Sequence, residues 1–202
     1  MAKEKAKIAV IILNWNQTDL TLACLKSVFQ SRTDEQIEIE AIVIDNGSTD
    51  DSKKRLKEIQ EKRNLSRQGQ GEIRISRSKF PNFKVIFNKE NLGFAGGNNV
   101  GIRYALKNKA DFIFILNNDT EIKDDCILNL WKTFLEEEKI GLVSPKIYYA
   151  PGFEFHKKRY QKKDLGRVIW YAGGKIDWDN VLGRHLGVDE VDQGQYEKRK
   201  EN

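Results

Sequence analysis

Four short apolar runs, each closed abruptly by a polar cluster, set the rhythm of this chain. Ile8 to Leu13 runs into Asn14-Trp15-Asn16. A strand predicted over Ile37 to Ile44 ends in AIVI and runs into Asp45-Asn46-Gly47-Ser48-Thr49-Asp50. Lys84 to Phe87 runs into Asn88, and Phe112 to Leu116 into Asn117-Asn118-Asp119-Thr120. Unbroken aliphatic and aromatic runs of this length suit strands buried on both faces. The last run, FIFIL, predicts a central strand. Between the runs, apolar residues recur at helical spacing. Leu22, Leu25, Val28 and Phe29 follow Thr18, a predicted N-cap. Leu56 and Ile59 lie in a helix capped by Ser48 or Asp50 and ending near Gln60. Val100, Ile102, Ala105 and Leu106 predict a helix from about Asn98 to Asn108. Ile127, Leu130, Trp131, Phe134 and Leu135 follow Asp124, another predicted cap. Ile140 to Tyr149 predicts a fifth strand, interrupted near Pro145.

Strand and helix therefore alternate, which means an α/β fold with a mostly parallel, Rossmann-like sheet and helices on both faces. Parallel strands put the clusters at Asn14, Asp45, Asn88 and Asp119 on one edge of that sheet. One polar turn is punctuation, because Asn and Asp favour turns for local reasons. Four on the carboxyl edge of one sheet predict a site. Between the third strand and its helix, Asn88 to Asn99 holds three glycines after Leu92 and several asparagines. That composition predicts backbone at positive φ, close approach to a ligand, and helix N-terminal amides that favour an anion.

Two stretches depart from the rhythm. Residues 61–82 are polar, with six basic and two acidic residues, and predict a surface loop inserted into the 1–150 domain. Residues 151–202 hold 11 basic and 9 acidic residues and few aliphatics. They predict a glycine-rich C-terminal extension, with a hairpin within Trp170 to Val188 and a mobile polar tail.

Composition narrows the function classes. A charged fraction of 32% against 39% hydrophobic suits a water-soluble protein. No run approaches the roughly 18 apolar residues of a membrane span. The lysines before Ile8 mimic a signal peptide, but six apolar residues without a cleavage site read better as a first strand. Cys24 and Cys126 each fall among apolar neighbours in a helix, which predicts buried free thiols and a reducing cytoplasm. The net charge of +5 is scattered, so no nucleic-acid partner is expected. A weak attraction to anionic headgroups at the inner membrane face is compatible with it.

The motifs exclude further classes. No GxxxxGK[ST] and no GxGxxG opens a helix, which disfavours P-loop NTPases and dinucleotide dehydrogenases. His156 and His185 stand apart from cysteines and carboxylates and read as surface histidines. Asn14-Trp15-Asn16-Gln17 lacks the glycine- and basic-rich loop that a sugar-nucleotide pyrophosphorylase would want. What remains is carboxylates and amides on a sheet edge. Asp45 can accept from a base imide or ribose hydroxyl, and Asp119 can hold Mg2+ or Mn2+ against a diphosphate.

ILNWNQ, VIDNGSTDDS, NKENLGFAGGNNVGIRYAL and FILNNDT, in this order and spacing, resemble glycosyltransferase family 2, and most closely its rhamnosyltransferase-like branch of surface-polysaccharide enzymes. The resemblance covers residues 7–150, and more weakly YAGG…GRHLG. It implies a GT-A fold, a nucleotide-diphosphate sugar donor, a divalent cation, inversion at the anomeric carbon, and a glycan or lipid-linked acceptor. Carried onto this chain, Asn14 and Asn16 would line the nucleotide pocket and Asp45 would contact the base. Asn91, Gly93 and the turn Gly96, Gly97, Asn98 and Asn99 would line the donor cleft. Asn46, Asn88, Asn117 and Asn118 complete the donor-binding candidates, and Asp119 would be the metal ligand.

Two departures qualify the resemblance. Asn117 stands where a strict DxD has its first Asp, which implies weaker, donor-assisted metal binding. Asp189, Glu190 and Asp192 lie in a polar tail without strand support, and a general base must be held within reach of its proton. The expectation is a donor-binding half without its base, with a non-catalytic nucleotide-binding or assembly module as the alternative.

Overall fold

The computed structural model describes residues 5–33, 35–67 and 83–197. These residues form two compact units that divide between Asn129 and Leu130. The first unit is a four-stranded parallel sheet of β1 (Ala6–Asn14), β2 (Ile37–Asp45), β3 (Phe83–Phe87) and β4 (Phe112–Asn117), in the order β3-β2-β1-β4. Helices α1 (Thr18–Phe29), α2 (Ser52–Arg67) and α3 (Gly93–Lys107) connect the strands, and α4 (Cys126–Phe134) follows β4.

The core sits where β1 and β2 meet the helices. Ala9, Ile11, Ile42, Ile44 and Ala105 of α3 form one buried cluster, with Leu13, Ile86, Val100 and Ile102 packed on it. Side chains alternate between faces along a strand. Val10, Ile12 and Val43, on the opposite face, are equally buried. That explains why β1 and the AIVI end of β2 read as continuous apolar runs.

Several local expectations change. FIFIL forms a strand, but β4 ends the four-strand order rather than sitting at its centre, and Ile115 is 46% exposed. A run of apolar residues carries no information about lateral position. The predicted fifth strand shrinks to β5 (Ile147–Tyr148), which pairs antiparallel with β6 (Ile169–Tyr171) in the second unit and adds nothing to the parallel sheet. Pro145 removes a ladder donor just ahead of it. Helix α2 continues to Arg67, because Glu61, Lys62, Arg63 and Leu65 are good helix formers despite their polarity. The rest of the expected 61–82 loop, residues 68–82, lies outside the described residues. So do residues 198–202 of the expected tail.

The caps also differ. Gln17, not Thr18, is the α1 N-cap. The Thr18 hydroxyl is buried without a partner among the described residues. Asp50 does cap α2, accepting from Ser52 N–H at 2.9 Å. The Asp124 carboxylate is taken instead by Arg32 Nε at 2.7 Å. Cys24 is a buried free thiol that burial, then Asp119 and Glu121, push up to about 12; Cys126 is free and half-buried.

The second unit pairs β5 with β6 and forms a hairpin of β7 (Gly174–Asp177) and β8 (Leu182–His185). The acidic stretch 189–192 is held against β6. Asp189 N–H donates to Ile169 O at 3.0 Å, Ile169 N–H to Glu190 O at 2.9 Å, and Val168 bridges Val191. The lack of strand support expected there is corrected: alternation was invisible in so polar a segment. No helix among the described residues is long and apolar enough to cross a membrane.

Candidate functional site at the carboxyl edge of the sheet

The order β3-β2-β1-β4 reverses direction at β1. In an open α/β sheet the crevice at such a reversal, outside the carboxyl ends, is where ligands bind. Here it is flanked by the loop after β1 and the loop after β4. The register sets Asn14 beside Asp45 and Leu13 beside Asn117. All of the candidate residues named from the sequence belong to the first unit.

A hydrogen-bond chain runs along this edge. Asn118 Nδ2 donates to Thr21 Oγ1 at 3.2 Å, and Thr21 Oγ1 donates to Asn14 Oδ1 at 2.7 Å. Asn14 Nδ2 donates to Asp45 Oδ1 at 2.9 Å, and Ser48 Oγ donates to the same oxygen at 2.5 Å. The ends of β4, β1 and β2 are thereby linked through side chains. Asn14 is fully buried, and its side-chain nitrogen and oxygen are both hydrogen-bonded, which orients the Asp45 carboxylate. Asp45 is 1% exposed, and its Oδ2 has no hydrogen-bond partner among the described residues.

Asn46 extends the link to the third strand end. Its Oδ1 accepts from Asn88 Nδ2 at 2.9 Å and from Leu92 N–H at 3.1 Å. Its Nδ2 donates to Asn91 Oδ1 at 2.8 Å and to Gly93 O at 3.2 Å. An amide offers two donors and two acceptor lone pairs, so Asn46 has no capacity left. It ties the loop after β2 to the segment 88–93. Asn16 does similar work: its Oδ1 accepts from Thr49 N–H at 2.8 Å and Asp50 N–H at 3.3 Å, and its backbone holds φ 54°.

The glycine-rich segment is not the turn that its composition predicts. Helix α3 starts at Gly93, and only Gly93 in it has positive φ, at 70°. Gly96 and Gly97 lie inside the first turns. A Cβ on Gly97 would strike Leu13 Cδ1 and sit 3.1 Å from Asn46 Cγ. These glycines bring the helix down onto the sheet end. Asn98 is 4% exposed; its Nδ2 donates to Phe94 O at 2.9 Å, and its Oδ1 has no partner among the described residues.

After β4 the side chains open to solvent. Asn117 and Asp119 are exposed, and Asn118 is half-buried. Among the described residues no three His, Cys, Asp or Glu side chains gather into a ready-made cation shell. A hard cation does not require one here. Mg2+ is commonly held by one or two carboxylates plus substrate phosphates and water. The exposed Asp119 carboxylate, which accepts no hydrogen bond among the described residues, fits that donor set.

Three site-building residues escaped the sequence reading. Thr21 and Ser48 are the hydroxyl links of the chain above. Gly47 has φ 71°, and a Cβ there would run into the Glu90 backbone and lie 2.7 Å from Asn91 N. A glycine between an Asn and a Ser was the available signal for that contact.

A family model for glycosyl transferase family 2 matches residues 9–187. The chain belongs to glycosyl transferase family 2. Over 80 residues it is 32% identical to the low-salt glycan biosynthesis hexosyltransferase Agl10 of Haloferax volcanii, covering 39% of this chain and 26% of that protein. The mannosyltransferase PcManGT from Pyrobaculum calidifontis, solved in complex with GDP-Man and Mn2+, aligns at TM-score 0.55 and 18% identity. That alignment covers 74% of this chain and 38% of the other. S. aureus TarS, residues 1–349, solved in complex with UDP-GlcNAc, aligns at TM-score 0.49 and 21% identity, over 69% and 37%. This glycosyl transferase family 2 chain thus spans about a quarter to two fifths of these relatives. The structural likeness establishes the α/β, GT-A-like fold.

Proposed function

We propose that this chain binds the nucleotide-diphosphate sugar donor of an inverting hexosyltransferase. The observation that carries the reading is the joined edge. Four strand ends are tied by Asn14, Thr21, Ser48 and Asn46. Among the described residues, Asp45 Oδ2 and Asn98 Oδ1 are buried acceptors without protein donors, and Asp119 is an exposed carboxylate that accepts no hydrogen bond. Buried polar atoms without partners are rare and call for an explanation. The imide N–H of a base or a ribose hydroxyl would satisfy such acceptors.

In this reading Asp45 receives the nucleoside, with Asn14 and Asn16 holding its loop. Asn88, Asn91 and Gly93 shape the donor side through Asn46. Asn117, Asn118 and Asp119 border the diphosphate, and Asp119 would hold Mg2+ or Mn2+. Such a cation, when bound, would offset diphosphate charge and make the nucleoside diphosphate a better leaving group. In the transfer this donor site would serve, the acceptor hydroxyl gives its proton to a general base and attacks the anomeric carbon from the opposite face, the nucleoside diphosphate leaves with the electron pair of the broken bond, and configuration inverts. The family membership, the hexosyltransferase relative and the GDP-Man and Mn2+ of the solved neighbour all support this reading. A dTDP-rhamnose or UDP-sugar donor and a glycan or lipid-linked acceptor of bacterial surface polysaccharide are the specific forms proposed, from the motifs NLGFAGGNN and LNNDT.

The test is release of nucleoside diphosphate from dTDP- and UDP-sugars with Mn2+. Release lost in Asp119→Ala supports a transferase donor site. Saturable nucleotide binding without any release supports the assembly-module reading.

A further inference from the structure

The second unit contains a segment built inside out. In Phe153-Glu154-Phe155 the phenylalanines are 75% and 73% exposed and the glutamate is 1% exposed. An ordinary surface loop would bury the rings and expose the charge, since charged side chains are almost never fully buried unless paired. Here the Glu154 carboxylate works as a clasp. Its Oε2 accepts from Gly152 N–H at 2.8 Å and its Oε1 from Gly166 N–H at 3.0 Å. Both ends of the 152–166 loop are therefore pinned on one side chain, and the two rings are held outward on either side of it.

The loop so closed is strongly basic. Lys157, Lys158, Arg159, Lys162 and Lys163 fall within seven residues. Lys158, Arg159, Lys162 and Lys163 are exposed. They ride on two short 3-10 turns, Lys157–Arg159 and Lys162–Asp164. The loop's carboxylates are already committed. Glu154 holds the clasp, and Asp164 accepts from Gln161 N–H at 2.9 Å as a cap. Phe155, His156, Lys158 and Arg159 line an open depression of about 730 Å³. Leu165 adds an exposed aliphatic beside the Gly166 anchor.

We infer that the 152–166 loop docks on an anionic phospholipid surface, the rings of Phe153 and Phe155 entering the headgroup boundary and the lysines and arginine meeting lipid phosphates. Exposed aromatics with flanking cations are the composition of interfacial anchors. Basic clusters add electrostatic attraction to anionic leaflets, screened by salt. A flat anionic sheet satisfies rings and cations together. A nucleic acid strand fits less well, because the cations crowd one compact loop rather than track a groove. The inference stands apart from the donor site and does not depend on it.

The experiment is vesicle flotation of the full chain with phosphatidylcholine vesicles and with vesicles that also carry phosphatidylglycerol. The expected result is binding to the anionic vesicles only, lost at high salt. Lys162→Gln with Lys163→Gln should weaken it about 25-fold, at roughly fivefold per cation. Phe153→Ser with Phe155→Ser should weaken it at least about tenfold, from the apolar area withdrawn. Unchanged far-ultraviolet circular dichroism and thermal midpoint show that the variants fold. Equal binding to neutral and anionic vesicles, no binding to either, unchanged binding by both variants, or retention only by a single-stranded oligonucleotide would each overturn the inference.

Discussion

Asn14 Nδ2 donates to Asp45 Oδ1 at 2.9 Å, and the other oxygen of that buried carboxylate receives no hydrogen bond from the described residues. One strand end thus orients the acid of its neighbour and leaves half of it uncommitted. Asp45→Asn keeps an acceptor for Asn14 and Ser48 but replaces a carboxylate oxygen with an amide. The chain should fold, and affinity for a nucleoside diphosphate should fall by about tenfold or more, as expected for a charge-assisted hydrogen bond. Asn14→Ala should instead lower both stability, by about 2 kcal/mol, and affinity. Chemical denaturation and calorimetry separate the two effects.

Asn46 carries four hydrogen bonds to the segment between Asn88 and Gly93. Asn46→Asp removes both donors and sets a carboxylate against Asn91 Oδ1 and Gly93 O. Loss of about 2 kcal/mol is expected, from two part-buried hydrogen bonds broken and a carboxylate set against two acceptors. Amide hydrogen exchange should show the loss of protection concentrated in residues 88–93.

Gly97→Ala tests the close approach of α3. Alanine would raise helix propensity by up to about 1 kcal/mol, but its methyl meets Leu13 and Asn46. Overpacking of this kind costs about 1–3 kcal/mol, so a net loss is expected in a thermal melt. Gly47→Ala, with positive φ and the Glu90 backbone in its way, should cost more.

Acid sensitivity should trace to Asp192 in the second unit. Burial alone would raise its carboxyl. Hydrogen bonds from Lys146, at 2.7 Å, from Tyr148 and from Gly194 N–H, with the charge of Lys146, hold it down at about 2. A carboxyl depressed in the folded state contributes stability above its unfolded value near 3.8, and that stability is lost as pH falls from there toward about 2. Asp192→Asn should flatten this limb of a stability-against-pH curve and leave the limb above pH 5 with a constant offset.

The buried strands were legible because β1 and β2 are apolar on both faces, and the parallel sheet followed from their alternation with helices. What the side chains do at the edge was not. Asn14 and Asn46 read as ligand contacts, since polarity after a strand signals a site, yet Asn46 spends all four of its hydrogen bonds, and Asn14 both of its donors, within the protein. Composition gives the number of amides and not the direction in which each is spent. The glycines before Asn98 read as a turn because glycine is a weak helix former. Packing against Leu13 outweighed that propensity. Glu154 gave no signal at all, because a glutamate between two phenylalanines looks like the exposed member.

The account rests on Asp45 and Asp119 serving one ligand. Titration calorimetry of the chain with dTDP, UDP and GDP, with and without Mn2+, tests this most directly. The expected result is saturable binding strengthened by Mn2+. Asp119→Ala should abolish the Mn2+ effect while moving stability by less than about 0.5 kcal/mol, as for an exposed side chain. Asp45→Asn should weaken binding with and without the metal. Failure of all three nucleotides to bind, or Mn2+-dependent binding that survives both substitutions, would contradict the account.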